Sequence, residues 1–233
     1  MQKELEMFEK FINDYDLTIP QLKGKKEHTY RVVGYAKEIA KSLLLSNEDI
    51  NLAGICALFH DLGRFPQYTQ YHTFYDDDSI DHGDKSYEIL KELNYNNEIV
   101  LKAVKYHNKY RVDDSLNERE LLFANITRDA DKIDIMLKQL GDSYKEDYNI
   151  SNDIMNFFYE QKLINNETIK NKTDGKLRTL TFIFDINYKK SFEIIKESNI
   201  IDKYINLIYN ATNDEKIFEI RDILNERIDN YVR

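Results

Sequence analysis

The side chains best suited to bind metal ions in this protein belong to four histidines and two aspartates. They are His28, the adjacent pair His60 and Asp61, His82, His107 and Asp131. Imidazole nitrogens and carboxylate oxygens are the usual ligands of Zn, Mn, Fe, Co and Ni ions. Four of the chain's five histidines belong to this set. Their types therefore predict a site for divalent cations, provided that the fold brings them together.

The local setting of these residues favours inward-facing side chains. His107 shares a helix face with Val100 and Ala103, at the spacings that place side chains one above another. His60 and Asp61 end the most apolar predicted helix, where an unpaired carboxylate would be expensive to bury and a metal ion would remove that cost. Taken singly, each histidine is also explained as a hydrogen-bonded core residue, and each aspartate as a helix cap.

The elements that must position these residues are predicted to be helices. Only two prolines and seven glycines occur, too few for the turns of many short strands. Ser46, followed by Asp49, predicts an N-cap for the central buried helix. Helices are predicted from the start through Tyr15 and, roughly, over 25–45, 46–61, 82–94, 96–109, 117–140, 151–162, 177–197, 200–211 and 214–231. We expect an all-α, single-domain bundle over residues 1–233, with C-terminal helices (150–231) packing on a motif-bearing core (25–140).

Composition limits the classes of partner. The net charge of −9 and the absence of a basic block argue against nonspecific nucleic-acid binding, whereas a small anionic substrate stays compatible with bound cations. The start of the chain has no signal-peptide pattern, and no run approaches 18 apolar residues, so we expect a cytoplasmic protein without membrane association. Cys56 lies in an apolar run and is predicted to be a packed core residue. The sequence leaves the oligomeric state open, a homo-oligomer included.

Four stretches resemble the successive motifs of the HD-domain metal-dependent phosphohydrolases. They are His28-Thr29-Tyr30-Arg31-Val32, Leu58-Phe59-His60-Asp61-Leu62-Gly63-Arg64, Asp81-His82-Gly83 and Arg128-Asp129-Ala130-Asp131-Lys132-Ile133-Asp134. The resemblance covers roughly residues 25–140, and it is the ordered set rather than the His-Asp dipeptide that is specific. No Gly-Tyr-Pro follows at an equivalent position, so it does not extend to the branch that cleaves cyclic dinucleotides.

The resemblance implies a ligand set and a reaction. His28, His60, Asp61 and Asp131 would hold one ion. His82 and His107 occupy the places of the histidines that bind a second ion in some members, and Asp61 would bridge the two. The implied cofactors are two divalent ions (Mn, Fe, Co, Ni, Zn or Mg). The implied function is hydrolysis of a phosphoester in a small metabolite or nucleotide by metal-activated water.

Four basic residues are candidates for substrate binding. Arg64 follows Asp61 by three residues on a glycine turn and has the planar fork that suits phosphate, so we assign it a role beside Asp61 in catalysis and in phosphate binding. Lys109 and Arg111 follow His107 and can reach the same cleft. Arg128 precedes Asp131 by three residues, a spacing that equally suits a structural ion pair.

The segment between the His-Asp pair and His82 is predicted to be a polar, aromatic loop over Arg64–Asp81. Its aromatic residues could form a lid or a base-stacking wall, although aromatic packing explains them equally well; they are Tyr68, Tyr71, Phe74 and Tyr75. His72 matches no ligand position and is expected to be solvated. The run Asp76-Asp77-Asp78 is expected to be a solvated acidic turn.

Two other functions remain open at this stage. Some relatives with the same six-residue pattern hold a mixed-valence di-iron pair and use oxygen to cleave a carbon bond, and the ligand types do not separate this chemistry from hydrolysis. A nucleotide-sensing regulatory module without enzymatic activity is the third hypothesis. Such modules are expected to lose metal ligands, whereas this chain keeps all six.

Overall fold

A computed structural model describes residues 1–232 and shows an all-helical protein, as predicted. Over this range it contains twelve α-helices and no β-strand. By its internal contacts the chain divides into two compact units, one ending at Asp131 and the other beginning at Lys132. The single domain expected from the sequence stays a prediction.

The first unit carries every predicted site residue. Its helices are α1 (Gln2–Ile12), α2 (Pro20–Ser42), α3 (Asn47–Phe59), α4 (Arg64–Tyr71), α5 (His82–Glu92), α6 (Glu98–Tyr106) and α7 (Glu118–Lys138), the last of which continues into the second unit. A 3-10 turn spans Asp76–Asp78. Helix α3 packs against both α2 and α6, and its residues from Ala53 to Phe59 are all buried. The prediction of a buried central helix is confirmed.

Local sequence explains where this central helix begins. The side chain of Ser46 accepts a hydrogen bond from the backbone N–H of Asp49 at 3.1 Å, which confirms the predicted N-cap. Cys56 is fully buried within α3, also as predicted. The preceding helix, α2, starts at Pro20, about five residues earlier than predicted, because proline suits the first position of a helix, where its missing N–H costs nothing.

The prediction of an unbroken loop over Arg64–Asp81 is wrong, because α4 occupies its first eight residues. Pro66 is the third residue of this helix, in the first turn, where backbone N–H groups have no intrahelical acceptor; it therefore does not break the helix. Gly63, directly before α4, has a right-handed helical backbone conformation that any residue can adopt, so glycine is needed there for space. A Cβ atom added there would lie 2.4 Å from the carbonyl oxygen of His82, so glycine lets the start of α4 approach the start of α5.

The second unit contains the remaining helices. They are α8 (Asn152–Tyr159), α9 (Lys172–Thr181), α10 (Lys189–Glu197), α11 (Ile200–Thr212) and α12 (Lys216–Val232), with 3-10 turns over Asn166–Thr168 and Phe182–Asp185. Helix α12 packs against α10 and α11, with Leu224 and Ile195 fully buried. None of the helices in residues 1–232 has the length and apolar character needed to cross a membrane.

The predicted continuous helix over 177–197 is also wrong. It is interrupted between Thr181 and Lys189, where the chain passes through the 3-10 turn and becomes extended at Ile186. The side chain of Asn187 donates to the backbone carbonyl of Asp185 at 3.2 Å. Such short-range bonds compete with the helical hydrogen-bond pattern, and this one lies within the interrupted stretch.

Candidate metal centre

One cluster of donor atoms joins three distant parts of the chain. His28 lies on α2, His60 directly follows α3, and Asp131 lies on α7. The Nε2 atoms of the two histidines are 3.3 Å apart. The Oδ1 atom of Asp131 lies 3.1 Å from Nε2 of His28 and 3.6 Å from Nε2 of His60. These three side chains have the arrangement of a metal-binding group.

A second pair of histidines lies on the other side of Asp61. His82 is the first residue of α5 and His107 directly follows α6. Their Nε2 atoms are 3.0 Å apart. The Oδ1 atom of Asp61 lies 3.5 Å from Nε2 of His82 and 3.6 Å from Nε2 of His107. The helices that carry them, α5 and α6, pack directly against each other.

Asp61 connects the two pairs. Its Oδ2 atom lies 3.4 Å from Nε2 of His28 and 3.5 Å from Nε2 of His60, while its Oδ1 atom faces His82 and His107. Each carboxylate oxygen therefore faces a different pair of imidazoles. The structure brings together all six residues that the sequence singled out as metal ligands, and their role as ligands stays a prediction.

The second nitrogen of each of three imidazoles has an acceptor that fixes its proton. Nδ1 of His60 donates to the carbonyl oxygen of Ala57, and Nδ1 of His107 donates to that of Val104, each at 2.7 Å. Because a carbonyl oxygen can only accept, the proton of the neutral ring resides on Nδ1 and Nε2 carries the lone pair. The Nδ1 atom of His82 lies 2.6 Å from Oδ2 of Asp76, a carboxylate that likewise only accepts.

Burial shifts the pKa of two of the histidines, His82 and His107. It lowers the pKa of His107, and together with the positive charge of Arg64 it lowers the pKa of His82 to about 3. Both rings are therefore neutral near pH 7, which is the form that binds metal ions.

The two central carboxylates stay ionised. Burial by itself raises the pKa of Asp61, but the Lys25 ammonium, which donates to Oδ2 at 2.7 Å, outweighs it and holds the pKa well below its usual range. For Asp131, burial is outweighed by the hydrogen bond with His28, whose Nε2 atom lies 3.1 Å from Oδ1, and the pKa again falls well below its usual range. Both carboxylates are therefore anionic near neutral pH, which is the charge state that binds cations.

These donors fit divalent cations. Two ligand atoms bonded at about 2.1 Å to one tetrahedral ion lie about 3.4 Å apart, and the separations within the cluster run from 3.0 Å to 3.6 Å. The lone pairs of His82 and His107 face each other at 3.0 Å, an arrangement that is repulsive unless a cation or proton lies between them. Nitrogen and oxygen donors in this proportion suit the first-row transition ions.

Lys25 is a site residue that the sequence reasoning missed. Its Nζ atom donates to Oδ2 of Asp61 at 2.7 Å and lies 5.3 Å from the centre of the Phe74 ring. The side chain is 18% exposed, so it lies at the edge of the site rather than in its centre. Its spacing of three residues before His28 places both on one face of α2, which is the signal that could have identified it.

Arg64 lies beside Asp61, as the sequence predicts, but one end of its guanidinium group is hydrogen-bonded to other residues of the protein. Its Nε atom is 3.6 Å from Oδ1 of Asp61. One terminal nitrogen donates to the carbonyl oxygen of Phe74 at 2.6 Å, to Oε1 of Gln67 at 2.8 Å and to Oδ1 of Asp76 at 2.9 Å. Arg64 therefore holds the segment after α4 in place and faces Asp61 at the same time.

The other three predicted substrate-binding residues have protein partners. Lys109 pairs with two carboxylates, 2.6 Å from Asp81 and 2.9 Å from Asp84. Arg111 is 80% exposed and lies 3.3 Å from the carboxylate of Asp114. Arg128 is buried and donates to backbone carbonyl oxygens at the end of α6, those of Tyr106, His107 and Lys109. Arg128 thus fixes the turn that carries His107, and substrate contacts by these residues stay predictions.

The loop before α5 contains a correction. His72 is exposed and has a left-handed backbone conformation at the end of α4, in keeping with a solvated residue. The acidic run was expected to be solvated throughout, and Asp77 and Asp78 are indeed exposed. Asp76 is not, because its carboxylate contacts His82 and Arg64. Its burial raises the pKa, but His82 and Arg64 outweigh this and hold the pKa well below its usual range. No periodicity in the sequence distinguishes Asp76 from its neighbours.

Comparison with known families agrees with this geometry. Residues 26–136 match the family model of the HD domain, and this range contains all six donor residues. The HD domain is typical of metal-dependent hydrolases. Searches of curated proteins and of solved structures found no match.

Proposed function

We propose that this chain, whose residues 26–136 form an HD domain, is a metal-dependent phosphohydrolase that uses two divalent ions to cleave a phosphoester of a small metabolite or nucleotide. One observation carries the proposal. The two oxygens of the Asp61 carboxylate face two different pairs of histidine Nε2 atoms, at 3.4–3.5 Å on one side and 3.5–3.6 Å on the other. A carboxylate placed in this way can bridge two cations, the arrangement that two-metal hydrolysis requires.

The chain's own residues would hold these ions in a defined place. His28, His60 and Asp131 surround one side of the Asp61 carboxylate, and His82 and His107 surround the other. Divalent ions such as Mn, Fe, Co, Ni, Zn or Mg bound there would supply the Lewis acidity that activates water and neutralises charge on the phosphate oxygens.

Two cations of the chain are placed to receive the phosphate. Lys25 and Arg64 approach the Asp61 carboxylate from its two oxygens, at 2.7 Å and 3.6 Å respectively. The ring of Phe74 lies against both, 5.3 Å from the ammonium and 5.7 Å from the guanidinium carbon. We propose that Arg64 and Lys25 orient the phosphoryl group and stabilise its developing charge, while Phe74 limits the access of water. Asp61 would align the attacking water by accepting its hydrogen bond.

The test is metal analysis followed by a substrate panel. Protein purified without chelators is analysed for metal content, stripped, and reloaded separately with Mn, Co, Ni, Zn, Fe and Mg. Phosphate release is then measured from monoesters, diesters and nucleotides, with Asp61→Asn as the inactive control. We expect metal-dependent hydrolysis of at least one class. A fully loaded protein that hydrolyses none of these, while the iron-loaded form consumes oxygen with a mixed-valence signal in electron paramagnetic resonance, would reject the phosphohydrolase in favour of the oxygenase.

A further inference from the structure

The carboxylate of Asp76 accepts hydrogen bonds from four different side chains. Its Oδ2 atom faces Nδ1 of His82 at 2.6 Å and Nδ2 of Asn108 at 3.1 Å. Its Oδ1 atom faces a terminal nitrogen of Arg64 and Nε2 of Gln67, each at 2.9 Å. In this cluster of five side chains, the Asp76 network, Asp76 meets Nδ1 of His82, whereas Asp61 faces Nε2 on the opposite edge of the same ring.

Three of the four partners of Asp76 can be identified as hydrogen-bond donors without reference to Asp76 itself. Nε2 of Gln67 also donates to the carbonyl oxygen of Ile80 at 3.0 Å, which identifies it as the nitrogen of the amide. Nδ2 of Asn108 also donates to the carboxylate of Asp81 at 3.0 Å. The guanidinium of Arg64 has no acceptor atom at all. Every partner of Asp76 whose orientation can be fixed independently is therefore a donor.

The remaining partner, His82, must donate as well. A lone pair on Nδ1 at 2.6 Å from an ionised oxygen would be strongly repulsive, so Nδ1 carries the proton. The lone pair of the neutral ring is then on Nε2, the atom that lies 3.0 Å from Nε2 of His107 and 3.5 Å from Asp61. Without this acceptor the ring would be free to place its proton on Nε2, where it would block coordination.

We propose that Asp76 is the positioning residue of the candidate metal centre, which holds His82 in the one tautomer and orientation that can bind a metal ion. Asp76 contacts His82 directly and reaches Asp61 only through Arg64, which faces the Oδ1 atom on the His82 and His107 side, so its effect should fall on that side of the centre. The inference rests on the proposed metal site but not on the reaction. Carboxylates that orient ligating histidines commonly change metal affinity by about tenfold to a hundredfold.

The substitution Asp76→Asn tests this with almost no change in volume. The asparagine must present its oxygen either to Arg64 and Gln67 or to His82 and Asn108. The guanidinium cannot accept a hydrogen bond, whereas the imidazole can do so by moving its proton. We therefore expect the new amide nitrogen to face His82 and to convert the ring to the tautomer protonated on Nε2.

The first measurement is the tautomer itself, in the metal-free protein. Two-bond ¹⁵N–¹H correlation spectra of histidine rings distinguish the tautomers, and His82→Gln assigns the signals. Wild-type His82 should be protonated on Nδ1, and Asp76→Asn should shift it toward Nε2. Asp78→Asn, at an exposed position of the same acidic run, should leave the spectrum unchanged. A wild-type His82 protonated on Nε2 overturns the inference, whether or not the variant folds.

The second measurement is calorimetric titration with Mn²⁺ or Zn²⁺. In Asp76→Asn we expect one of two binding events to weaken by about tenfold to a hundredfold, with the other unchanged and with circular dichroism like that of the wild type. Equal weakening of both events, or of neither, overturns the inference. A wild-type protein that binds no metal would instead remove the proposed function, and the tautomer measurement would still decide the role of Asp76.

Discussion

Asp61→Asn is the substitution that separates the proposed two-ion site from a buried polar cluster. The asparagine has the same shape as the aspartate but lacks its charge, and only one of its two terminal atoms can act as a ligand. In the wild type, Oδ2 faces His28 and His60 while Oδ1 faces His82 and His107, and the side chain is only 3% exposed. If Asp61 bridges two ions, the change therefore removes the negative charge from both sides of the centre and leaves one neutral oxygen for one side only.

The expected magnitude follows from metal linkage. Losing a group that merely orients a ligand costs about tenfold to a hundredfold in metal affinity, so losing a shared ligand should cost about a hundredfold or more at each site. An ion present at a hundred times its Kd stabilises the folded state by about 2.7 kcal/mol, and two such ions by about 5 kcal/mol. A hundredfold weaker site under the same conditions contributes only about 0.4 kcal/mol. For a chain of this size, 1 kcal/mol corresponds to about 2–4 °C in Tm.

Thermal unfolding with and without Mn²⁺ measures this difference. We expect metal to raise the Tm of the wild type by about 10–20 °C and that of Asp61→Asn by about 2–3 °C, with hydrolysis nearly abolished in the variant. His82→Ala is the informative comparison, because it removes a ligand from one side only and should keep about half of the metal-induced shift. If Asp61→Asn shows the full shift together with wild-type turnover, the bridging role of Asp61 is refuted.

Three further outcomes are expected. Lys25→Met should bind metal about tenfold more tightly, because the ammonium no longer competes for the Asp61 carboxylate, while KM for the phosphoester rises; weaker metal binding in a titration would contradict this. Arg64→Lys should lose about 1–3 kcal/mol in urea unfolding, since one ammonium cannot replace its bonds to the following segment, whereas Arg111→Lys at an exposed site should lose nothing measurable. The metal-free protein should lose stability as the pH falls from about 6.5 toward 3, because His82 takes up a proton in the unfolded chain but stays neutral in the folded protein, where its pKa is about 3. His82→Gln should reduce the dependence of the unfolding free energy on pH in this range. An unchanged dependence would show that other groups cause it.

The helices themselves were largely predictable from the sequence, and the errors have physical causes. Capping by Ser46 and the apolar run after it fixed the central helix closely, because both signals are local. The first eight residues of the predicted Arg64–Asp81 loop are helical instead, because Pro66 lies in the first turn of α4, where a missing N–H removes no helical hydrogen bond. The break after Thr181 could not be predicted, because the apolar residues of 177–197 continue through the 3-10 turn and give no sign of it.

Residue type and the ordered set of motifs predicted that the six donor residues lie together. They did not predict the residues that support these donors. Lys25 could have been found, because it lies one turn from His28 on the same helix. Asp76 could not have been found, because a loop has no regular periodicity from which to predict which of three successive aspartates has a side chain that faces inward. The hydrogen-bond donors around Asp76 explain why this aspartate faces inward. Arg64, Gln67 and Asn108 all present donors at one point behind His82, and a carboxylate is the side chain that satisfies all of them while directing the imidazole proton away from the centre.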